Sequence, residues 1–349
     1  MIDPVVHNYN YRDNMRILIT GGTGYIGSHA ALNVLSGNHD LFILDNYSNS
    51  SKDVLTKLKY LSNREFQSAE CDIKNKDDLI KIFSNFNPEV VIHFAGFKSV
   101  NYSIKVPLSY YSNNVSGTIN LLEVMDQYNC SNIIFSSSAT VYGTPEYLPC
   151  DENHKTAPIN PYGKTKFFLE EILKDWAMSN SQNRSIILRY FNPVGAHKSG
   201  IIGELPMGTP NNLFPYLAGV IRKKYDYLSI YGHDYPTKDW TGVRDYIHVE
   251  DIAIAHVNSL NLLKKNIKHE TINLGTGIGF SVLEILTEFK KILKKPIPFK
   301  FKPRRNGDIA TLIADNKKAK LMLKWDIKND LNQICKDTVR WINNYSQGK

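Results

Sequence analysis

A tyrosine and a lysine, Tyr162 and Lys166, stand four residues apart in the run Asn-Pro-Tyr-Gly-Lys-Thr-Lys. On a helix, residues at this spacing lie on one face, so an ammonium comes next to a phenol. A free phenol has a pKa near 10, and lowering that pKa to about 7 takes roughly 4 kcal/mol. One unit charge about 4 Å away, at an effective dielectric constant near 20, supplies roughly that amount. The pair is therefore suited to accept a proton from an alcohol undergoing oxidation.

This spacing is also common on solvated helix faces. It indicates a catalytic pair only together with other motifs, first of all a glycine-rich motif near the start of the chain. The apolar run Arg16–Thr20 predicts a buried strand, and Gly21, Gly24 and Gly27 follow it. Such glycines allow a tight turn, close approach to a pyrophosphate, and close packing of a helix whose amides point at phosphates. Asp45 lies 21 residues after Gly24, where a carboxylate holds ribose hydroxyls and repels a 2′-phosphate. The motif therefore predicts NAD rather than NADP.

Composition excludes several other classes of protein. The 349 residues are 42% hydrophobic and 22% charged, which is ordinary for a globular enzyme of two lobes. The net charge of +8 comes from scattered lysines without interleaved aromatic residues, so no nucleic-acid partner is expected. No apolar stretch reaches 18 residues, so no membrane span is expected. The four cysteines lack metal-ligand spacing, which predicts no metal site and a reducing, cytoplasmic location.

The order of segments predicts the fold class. Six candidate strands alternate with amphipathic helical stretches: Arg16–Thr20, Leu41–Leu44, Phe66–Ala69, Val90–Phe94, Ile133–Ser136 and Ser185–Tyr190. This alternation predicts an α/β protein with a doubly wound parallel Rossmann sheet. Gly- and Pro-rich loops after about Asn192 predict a second, smaller α/β lobe. We expect a disordered leader over 1–14, an NAD-binding domain over 15–191 and a second domain over 192–349, with some segments packing back on the first.

Several longer stretches carry a family resemblance from about Met15 to Trp341. They are residues 17–28, 92–98 (Ile-His-Phe-Ala-Gly-Phe-Lys), 135–143 (Phe-Ser-Ser-Ser-Ala-Thr-Val-Tyr-Gly), 189–197 (Arg-Tyr-Phe-Asn-Pro-Val-Gly-Ala-His), 210–215, 243–249 (Val-Arg-Asp-Tyr-Ile-His-Val) and 272–275. The chain resembles the extended short-chain dehydrogenase/reductase family, and within it is similar to the UDP-sugar 4-epimerases. The resemblance implies interconversion of UDP-galactose and UDP-glucose in galactose metabolism, by inversion at C4 through a 4-keto intermediate. It also implies NAD that stays tightly bound and is regenerated each turnover.

The resemblance assigns roles to individual residues. Tyr162 is implied as the acid/base, Lys166 as the residue that lowers its pKa, and Ser138 as the group that orients the sugar hydroxyl. The positions matching the cofactor site are Gly21, Gly24, Tyr25, Ile26, Gly27, Asp45, Asn46, Asn49, Ser50, Asp72, Ile73, Phe94, Ala95, Gly96, Lys98, Asn113, Ser136, Tyr162, Lys166 and Tyr190. The positions matching the UDP-sugar site, in the second domain and around Tyr162, are Ser138, Thr140, Tyr162, Asn192, Asn212, Leu213, Tyr231, Arg244, Arg305, Asp308 and Leu312.

Two positions depart from the family pattern. Trp240 stands where glycine is usual, shortly before Arg244, and a bulky residue there can alter a substrate loop or pack on a neighbouring apolar patch. Leu312 stands where a tyrosine tends to exclude 2-N-acetyl sugars and a small residue admits them. Because leucine is intermediate in size, we expect UDP-glucose and UDP-galactose as substrates, with some tolerance for UDP-N-acetylhexosamines.

Other functions remain open at this point. A nucleotide-sugar 4,6-dehydratase shares the fold and cofactor but needs acidic residues where this chain has Ser138-Ala139-Thr140. Another UDP-sugar 4-epimerase is a second alternative, and a non-catalytic NAD-binding sensor is a third, although such relatives usually lack the Tyr/Lys pair. The helix from Tyr162 to about Met178 carries more apolar residues than one core-facing stripe needs. This excess predicts a homodimer through that helix, as the family commonly forms.

Overall fold

The computed structural model describes residues 14–208, 210, 212–265, 267–305 and 307–347. Of the leader expected over 1–14, positions 1–13 lie outside the described residues. Asn14 is described, and its side-chain amide donates to Asp40.

Thirteen strands and twelve α-helices make up the described part of the chain. The strands are β1 Arg16–Thr20, β2 Asp40–Asp45, β3 Gln67–Glu70, β4 Val90–His93, β5 Asn132–Ser138, β6 Arg184–Tyr190, β7 Asn192–Val194, β8 Leu228–Tyr231, β9 Val243–His248, β10 His269–Leu274, β11 Gly279–Ser281, β12 Phe299–Lys302 and β13 Thr311–Leu312. The helices are α1 Tyr25–Ser36, α2 Asp53–Ser62, α3 Lys76–Phe86, α4 Val100–Lys105, α5 Pro107–Tyr110, α6 Gly117–Gln127, α7 Pro161–Ser179, α8 Leu213–Ile221, α9 Val249–Leu263, α10 Val282–Leu293, α11 Lys317–Leu323 and α12 Leu331–Gln347. A π-helical segment, Tyr111–Ser116, precedes α6, and a 3₁₀ turn, Ala139–Val141, follows β5.

A seven-stranded parallel sheet forms the larger part of the fold, with strand order β10-β6-β5-β4-β1-β2-β3. The order reverses at β1, so the crevice outside the carboxyl ends of β1 and β4 is the expected ligand position. The six predicted strands are confirmed as β1 to β6. The seventh, β10, comes from the C-terminal half and was not predicted as part of this sheet.

Both faces of the large sheet are covered, as the apolar runs in its strands require. Along β1, Ile17 and Ile19 pack with α1 and α9 on one side, whereas Leu18 packs with α3, α6 and α7 on the other. All three side chains are fully buried. This alternation follows from the two-residue period of a strand, and it fixes the register of the central strands.

The remaining strands form two small sheets beside the carboxyl edge of the large one. In the first, β9 pairs with β7, β11 and β13, and in the second, β12 pairs with β8 in parallel. A separate apolar cluster of α8, α10 and α12 side chains supports them. Because β7 directly follows β6, these sheets place their residues close to the site edge of the large sheet. Among the described residues, no helix is long and apolar enough to cross a membrane.

Helix α7 begins where the sequence supplies a start signal. The Asn160 side chain accepts a hydrogen bond from the amide of Gly163 at 2.8 Å, and Pro161 occupies the first helical position. Leu169, Leu173 and Trp176 then face the core beneath the sheet. The helix start therefore holds Tyr162 at the site edge, while the apolar face below it anchors the helix.

Trp240 adopts a left-handed backbone conformation, with φ of 62°. Its side chain is 64% exposed, so packing offsets little of the strain that a bulky residue carries there. The turn is held by hydrogen bonds of Asp239 with Thr241 and Ser281. The expected packing of this indole on an apolar patch is thus at most partial.

We expect Trp240→Gly to raise the free energy of unfolding by up to about 1 kcal/mol, because glycine adopts this backbone conformation without strain. Urea denaturation monitored by circular dichroism measures the change. The matched control is Asn63→Gly, since Asn63 has a similar φ of 50° but asparagine tolerates this region, so a smaller gain is expected. A loss of stability in Trp240→Gly would show that the indole has stabilising contacts.

Candidate active site

The centre of the site is the contact between α7 and the end of β5. The Lys166 ammonium is buried and donates to the backbone carbonyl of Ser136 at 2.6 Å. The same nitrogen lies 4.6 Å from the ring centroid of Phe135 and 6.0 Å from that of Tyr162. Both the tyrosine and the lysine therefore face the carboxyl end of β5, as their four-residue spacing predicts.

The hydroxyl group of Ser138 interacts with that of Tyr162 and acts to lower the pKa of the tyrosine. Ser138 Oγ also accepts from the amide of Thr140 at 3.2 Å and from the Thr140 hydroxyl at 3.0 Å. Because these two contacts occupy the serine oxygen as an acceptor, its own proton is available to donate to a phenol or a sugar oxygen. The three side chains form a connected set of hydroxyls.

The pKa values in this cluster correct one expectation. Burial raises the pKa of Tyr162 to about 12, with the hydrogen bond from Ser138 opposing the rise. In this structure Lys166 does not lower that pKa, because its ammonium is held at the Ser136 carbonyl rather than at the phenol. Burial lowers the pKa of Lys166 itself to about 8, and the nearby Glu170 carboxylate opposes that shift.

The glycine motif after β1 has the geometry that a pyrophosphate needs. Gly21 has φ of 68°, and a Cβ atom there would lie 2.7 Å from the backbone nitrogen of Ala95. Gly24 precedes α1 without a capping side chain, so the first amides of the helix, including those of Tyr25 and Ile26, point outward. Gly27 packs so closely on Gly21 that any side chain would clash. These residues fit a dinucleotide phosphate at this helix start.

Asp45 ends β2, and Asp72 lies two residues after the end of the neighbouring strand β3. The Asp45 carboxylate is mostly buried and accepts from the amide of Thr23 at 3.1 Å and the hydroxyl of Ser50 at 3.0 Å. Asn46 donates to Asp72 at 3.1 Å. Next to Asp72, the Ile73 side chain is buried. The structure thus brings the predicted adenosine-side residues together.

Other predicted cofactor residues lie along the crevice between β1, β4 and β6. Phe94, Ala95 and Gly96 follow β4, and Asn113 is buried in the π-helical segment. Tyr190 hydrogen-bonds His256 at 2.5 Å and also Ser136, and burial raises its pKa. The amide of Met207 reaches the Asn49 side chain at 3.4 Å, linking the β2 loop to the second lobe.

Lys98 has a partner that the sequence did not indicate. Its ammonium lies 2.7 Å from the carboxylate of Glu204, which comes from the loop after β7, and 5.8 Å from the ring centroid of Tyr25. This ion pair connects the β4 loop with the second lobe across the phosphate end of the crevice.

The second lobe contributes a cluster of two arginines around one carboxylate. Asp308 accepts from Arg244 at 2.8 Å and from Arg305 at 2.9 Å. The Arg305 guanidinium also lies 4.9 Å from the ring centroid of Tyr231, which is 42% exposed. Two forked cations and an exposed aromatic face are suited to a nucleoside diphosphate.

Leu312 connects this arginine cluster to the Tyr162 cluster. It is the register partner of Arg244 in the β9–β13 pair. It also packs in a buried apolar cluster with Ala139, the residue after Ser138. Asn192 begins β7 and is the register partner of Tyr246 on β9. Asn212 is the N-cap of α8, and Leu213 is its first residue.

Two functional candidates escaped the sequence interpretation. Glu170 and Arg189 form a buried ion pair beneath the Tyr162 cluster, with Arg189 Nη2 2.6 Å from Glu170 Oε2. The signal was available, because Glu170 follows Lys166 by one helical turn and therefore shares its face.

Comparison with known proteins agrees with this geometry. The family model described as GDP-mannose 4,6 dehydratase matches residues 18–338. The chain belongs to this family, within the extended short-chain dehydrogenases/reductases. Its full-length relatives include UDP-glucose 4-epimerase of Bacillus subtilis, with 46% identity over 96% of this chain and 100% of the relative.

Two solved structures of UDP-glucose 4-epimerases share the fold. The enzyme from Stenotrophomonas maltophila, with bound NAD and formylated UDP-arabinopyranose, has a TM-score of 0.94 and 42% identity, covering 96% of this chain and 100% of its own. The enzyme from Bifidobacterium longum, in complex with NAD+ and UDP, has a TM-score of 0.92 and 41% identity, covering 95% and 99%. The predicted fold class and family are thereby confirmed.

The buried Lys166 makes stability depend on pH in a definite direction. Its pKa is about 8 in the folded chain and about 10.4 when exposed, so between these values the unfolded chain binds more protons. The group's contribution to stability therefore rises with pH across this window. We expect the free energy of unfolding of the wild type to rise relative to Lys166→Met by up to about 3 kcal/mol from pH 8 to 10.4.

Urea unfolding at several pH values measures this difference. Lys164→Met is the matched control, because Lys164 is exposed on the same helix, and its difference from the wild type should not change with pH. A pH-independent difference for Lys166→Met would mean that the ammonium is not desolvated in the folded chain.

Proposed function

We propose that this chain is an NAD-dependent epimerase that interconverts UDP-galactose and UDP-glucose by inverting C4 through a 4-keto intermediate. The observation that carries the proposal is the connection made by Leu312. It joins a hydroxyl cluster suited to alcohol oxidation to an arginine pair suited to a diphosphate. Similarity to UDP-glucose 4-epimerases over nearly the whole chain supports the same activity.

The substrate would be anchored at its nucleotide end. Arg244 and Arg305 would fork onto the diphosphate, Tyr231 would stack on uracil, and Asp308 would accept hydrogen bonds from the ribose. The hexose itself would meet smaller groups, namely Ser138, Thr140 and Asn192. Tight binding at one end and looser binding at the other would let the 4-keto sugar turn and present its opposite face.

The glycine turn, α1 and the two strand-end carboxylates would hold NAD in the crevice. A bound NAD would supply reversible hydride transfer at C4 and would be regenerated in each turnover. Asp45 would hold the adenosine ribose, and Lys166 and Tyr190 would line the nicotinamide end. The Lys98–Glu204 pair would lie near the phosphates.

Tyr162 would move the proton of the sugar 4-hydroxyl. As a phenolate it would accept that proton during oxidation, and as a phenol it would return it during reduction. Because burial raises the pKa of Tyr162, its phenolate form would depend on the hydroxyl of Ser138, which opposes that rise. The residues argue against the dehydratase alternative, since the end of β5 and the turn after it carry Ser138, Ala139 and Thr140 and no carboxylate.

We further propose a homodimer, with a domain division near residue 191. Helix α7 leaves Phe168 42% exposed beside Tyr111, and Leu108 on α5 is 80% exposed. The predicted apolar excess of α7 is smaller than the sequence indicated, because Trp176 and Ala177 are buried within the chain.

The free, buried thiols of the cysteines are consistent with a cytoplasmic location.

The epimerisation assay tests the central proposal. Tyr162→Phe removes the hydroxyl that moves the proton, so we expect turnover of UDP-galactose to fall by about 10²- to 10⁴-fold. Binding of UDP should stay nearly unchanged, because the arginine cluster is intact. Chromatography of the UDP-sugars measures turnover, and calorimetry measures UDP affinity.

Thr287→Val, an exposed site on α10, is the matched control and should leave both quantities unchanged. Unchanged turnover in Tyr162→Phe would contradict the assignment.

UDP-N-acetylgalactosamine in a parallel reaction tests the substrate range. Slower but detectable conversion is expected from the size of Leu312, and its complete absence would refute that tolerance only.

Light scattering tests the homodimer. The full chain is expected to elute at twice its own mass, and Phe168→Asp should shift it towards the monomer by placing a charge in the apolar face. Lys174→Asp, at an exposed site on the same helix, is the comparison and should alter the mass less. A wild-type chain of monomer mass would contradict the dimer.

A further inference from the structure

A buried carboxylate lies directly beneath the residues that would carry out the chemistry. Glu170 and Arg189 are 4% and 7% exposed, and four hydrogen bonds converge on the carboxylate. Oε1 accepts from the Ser137 hydroxyl at 2.5 Å and from Arg189 Nε at 3.0 Å, and Oε2 accepts from Arg189 Nε at 3.2 Å and Nη2 at 2.6 Å. A carboxylate with this many donors is held in one position.

The position of this carboxylate relates it to Lys166. The two residues occupy successive turns of α7, so they share a face. They bind successive residues of β5, since Lys166 donates to the carbonyl of Ser136 and Glu170 accepts from the side chain of Ser137. Ser138, the next residue along the strand, meets Tyr162. Three consecutive strand residues are thus bound by three successive turns of one helix.

The hydrogen bonds of Glu170 continue away from the site through Arg189. In the β5–β6 register, Arg189 lies opposite Ser137. Its Nη1 donates to the Tyr142 hydroxyl at 3.0 Å, and that hydroxyl donates to Asn273 on β10 at 2.6 Å. The Glu170 carboxylate is therefore held by Arg189 of β6, which is linked through Tyr142 to Asn273 of β10.

We propose that Glu170, held by Arg189, is a positioning residue that keeps Lys166 protonated and fixed at the Ser136 carbonyl. An ammonium in a buried site loses its hydration and stays charged only if a nearby anion compensates. Glu170 supplies that charge one helical turn away. The consequence for catalysis rests on the proposed function. The effect of the Glu170 charge on the protonation of Lys166 can be measured without substrate.

The other titratable groups around Lys166 do not supply this charge. His93 on β4 is held by hydrogen bonds to Thr20 at 2.6 Å and Thr118 at 2.8 Å, and burial lowers its pKa to about 3, so it is neutral. Burial raises the pKa values of Tyr162 and Tyr190, so both are neutral phenols near pH 7. Arg189 is itself a cation. Among the described residues that face Lys166, Glu170 is therefore the one anion.

The test follows the titration of Lys166 in the full chain. The protein is labelled with ¹³C at the ε carbon of lysine, and the Lys166 resonance is identified by its loss in Lys166→Met. Glu170→Gln keeps the size of the side chain but removes its charge, so we expect the midpoint of this resonance to fall by about one pH unit or more. The alkaline limb of kcat should move to lower pH by a similar amount, with KM for UDP-galactose little changed.

A second variant guards against misfolding of the first. Glu170→Gln with Arg189→Met removes both charges together, which buried pairs often tolerate. It should also lower the Lys166 midpoint. Glu170→Asp retains the charge and should keep the midpoint near the wild-type value. Glu152→Gln, at the far end of the same network where the carboxylate accepts from the Asn273 amide at 2.8 Å, is the matched control and should not move it.

Two results would overturn the inference. One is an unchanged Lys166 midpoint in both charge-removing variants. The other is lower activity with an unchanged pH profile, which would mean that the pair acts only in folding. Because the resonance is read without turnover, a chain that fails to epimerise UDP-galactose would contradict the proposed function and leave this inference tested separately.

Discussion

The hydrogen bond between the Lys166 ammonium and the Ser136 carbonyl is the interaction on which the rest of the site depends. It joins the helix that carries Tyr162 to the strand that carries Ser138, at 2.6 Å and nearly out of contact with solvent. A buried ammonium is unfavourable unless its donors and its charge are both satisfied. The carbonyl satisfies a donor and Glu170 compensates the charge. The catalytic helix therefore has one stable position against the sheet.

A second constraint comes from the two parts of the substrate that the protein must treat differently. The nucleotide end requires firm binding, which the two arginines around Asp308 would provide under the proposed function. The hexose end requires freedom to turn, and the residues there are small hydroxyls and the apolar side chain of Leu312. Because Leu312 on β13 pairs with Arg244 on β9, these two environments lie next to each other. Substrate retention and sugar rotation can thus occur in one site without movement of the large sheet.

The sequence predicted the fold well where local pattern and function coincide. Most of the six strands from Arg16 to Tyr190 are short apolar runs, and their alternation with helical stretches predicted one parallel sheet. Strand β10 was missed because its pairing with β6 joins residues far apart in the chain, and its own pattern resembles any short strand. Long-range pairing of this kind cannot be read from a local window.

The site was predicted to a similar extent. Asp45 and Asp72 were expected in one cofactor site, and the structure places both at the carboxyl edge of the large sheet, where Asn46, next to Asp45, donates to Asp72. The pKa of Tyr162 was expected to fall from its spacing to Lys166 alone. Burial and the competing carbonyl of Ser136 decide that value, and neither is visible in a four-residue spacing. The Glu204 partner of Lys98 was missed for the same reason, since the pair forms across two lobes.

The most direct test of the account follows the hydrogen at C4. UDP-galactose deuterated at C4 is incubated with the purified full chain in ordinary water, without added NAD, and the product is examined by mass spectrometry and NMR. Oxidation and reduction at C4 should give UDP-glucose that retains deuterium at C4, because the hydrogen leaves and returns to the same carbon out of contact with solvent. Product in which the deuterium has been replaced by solvent hydrogen would contradict oxidation and reduction at C4, and with it the role assigned to Tyr162.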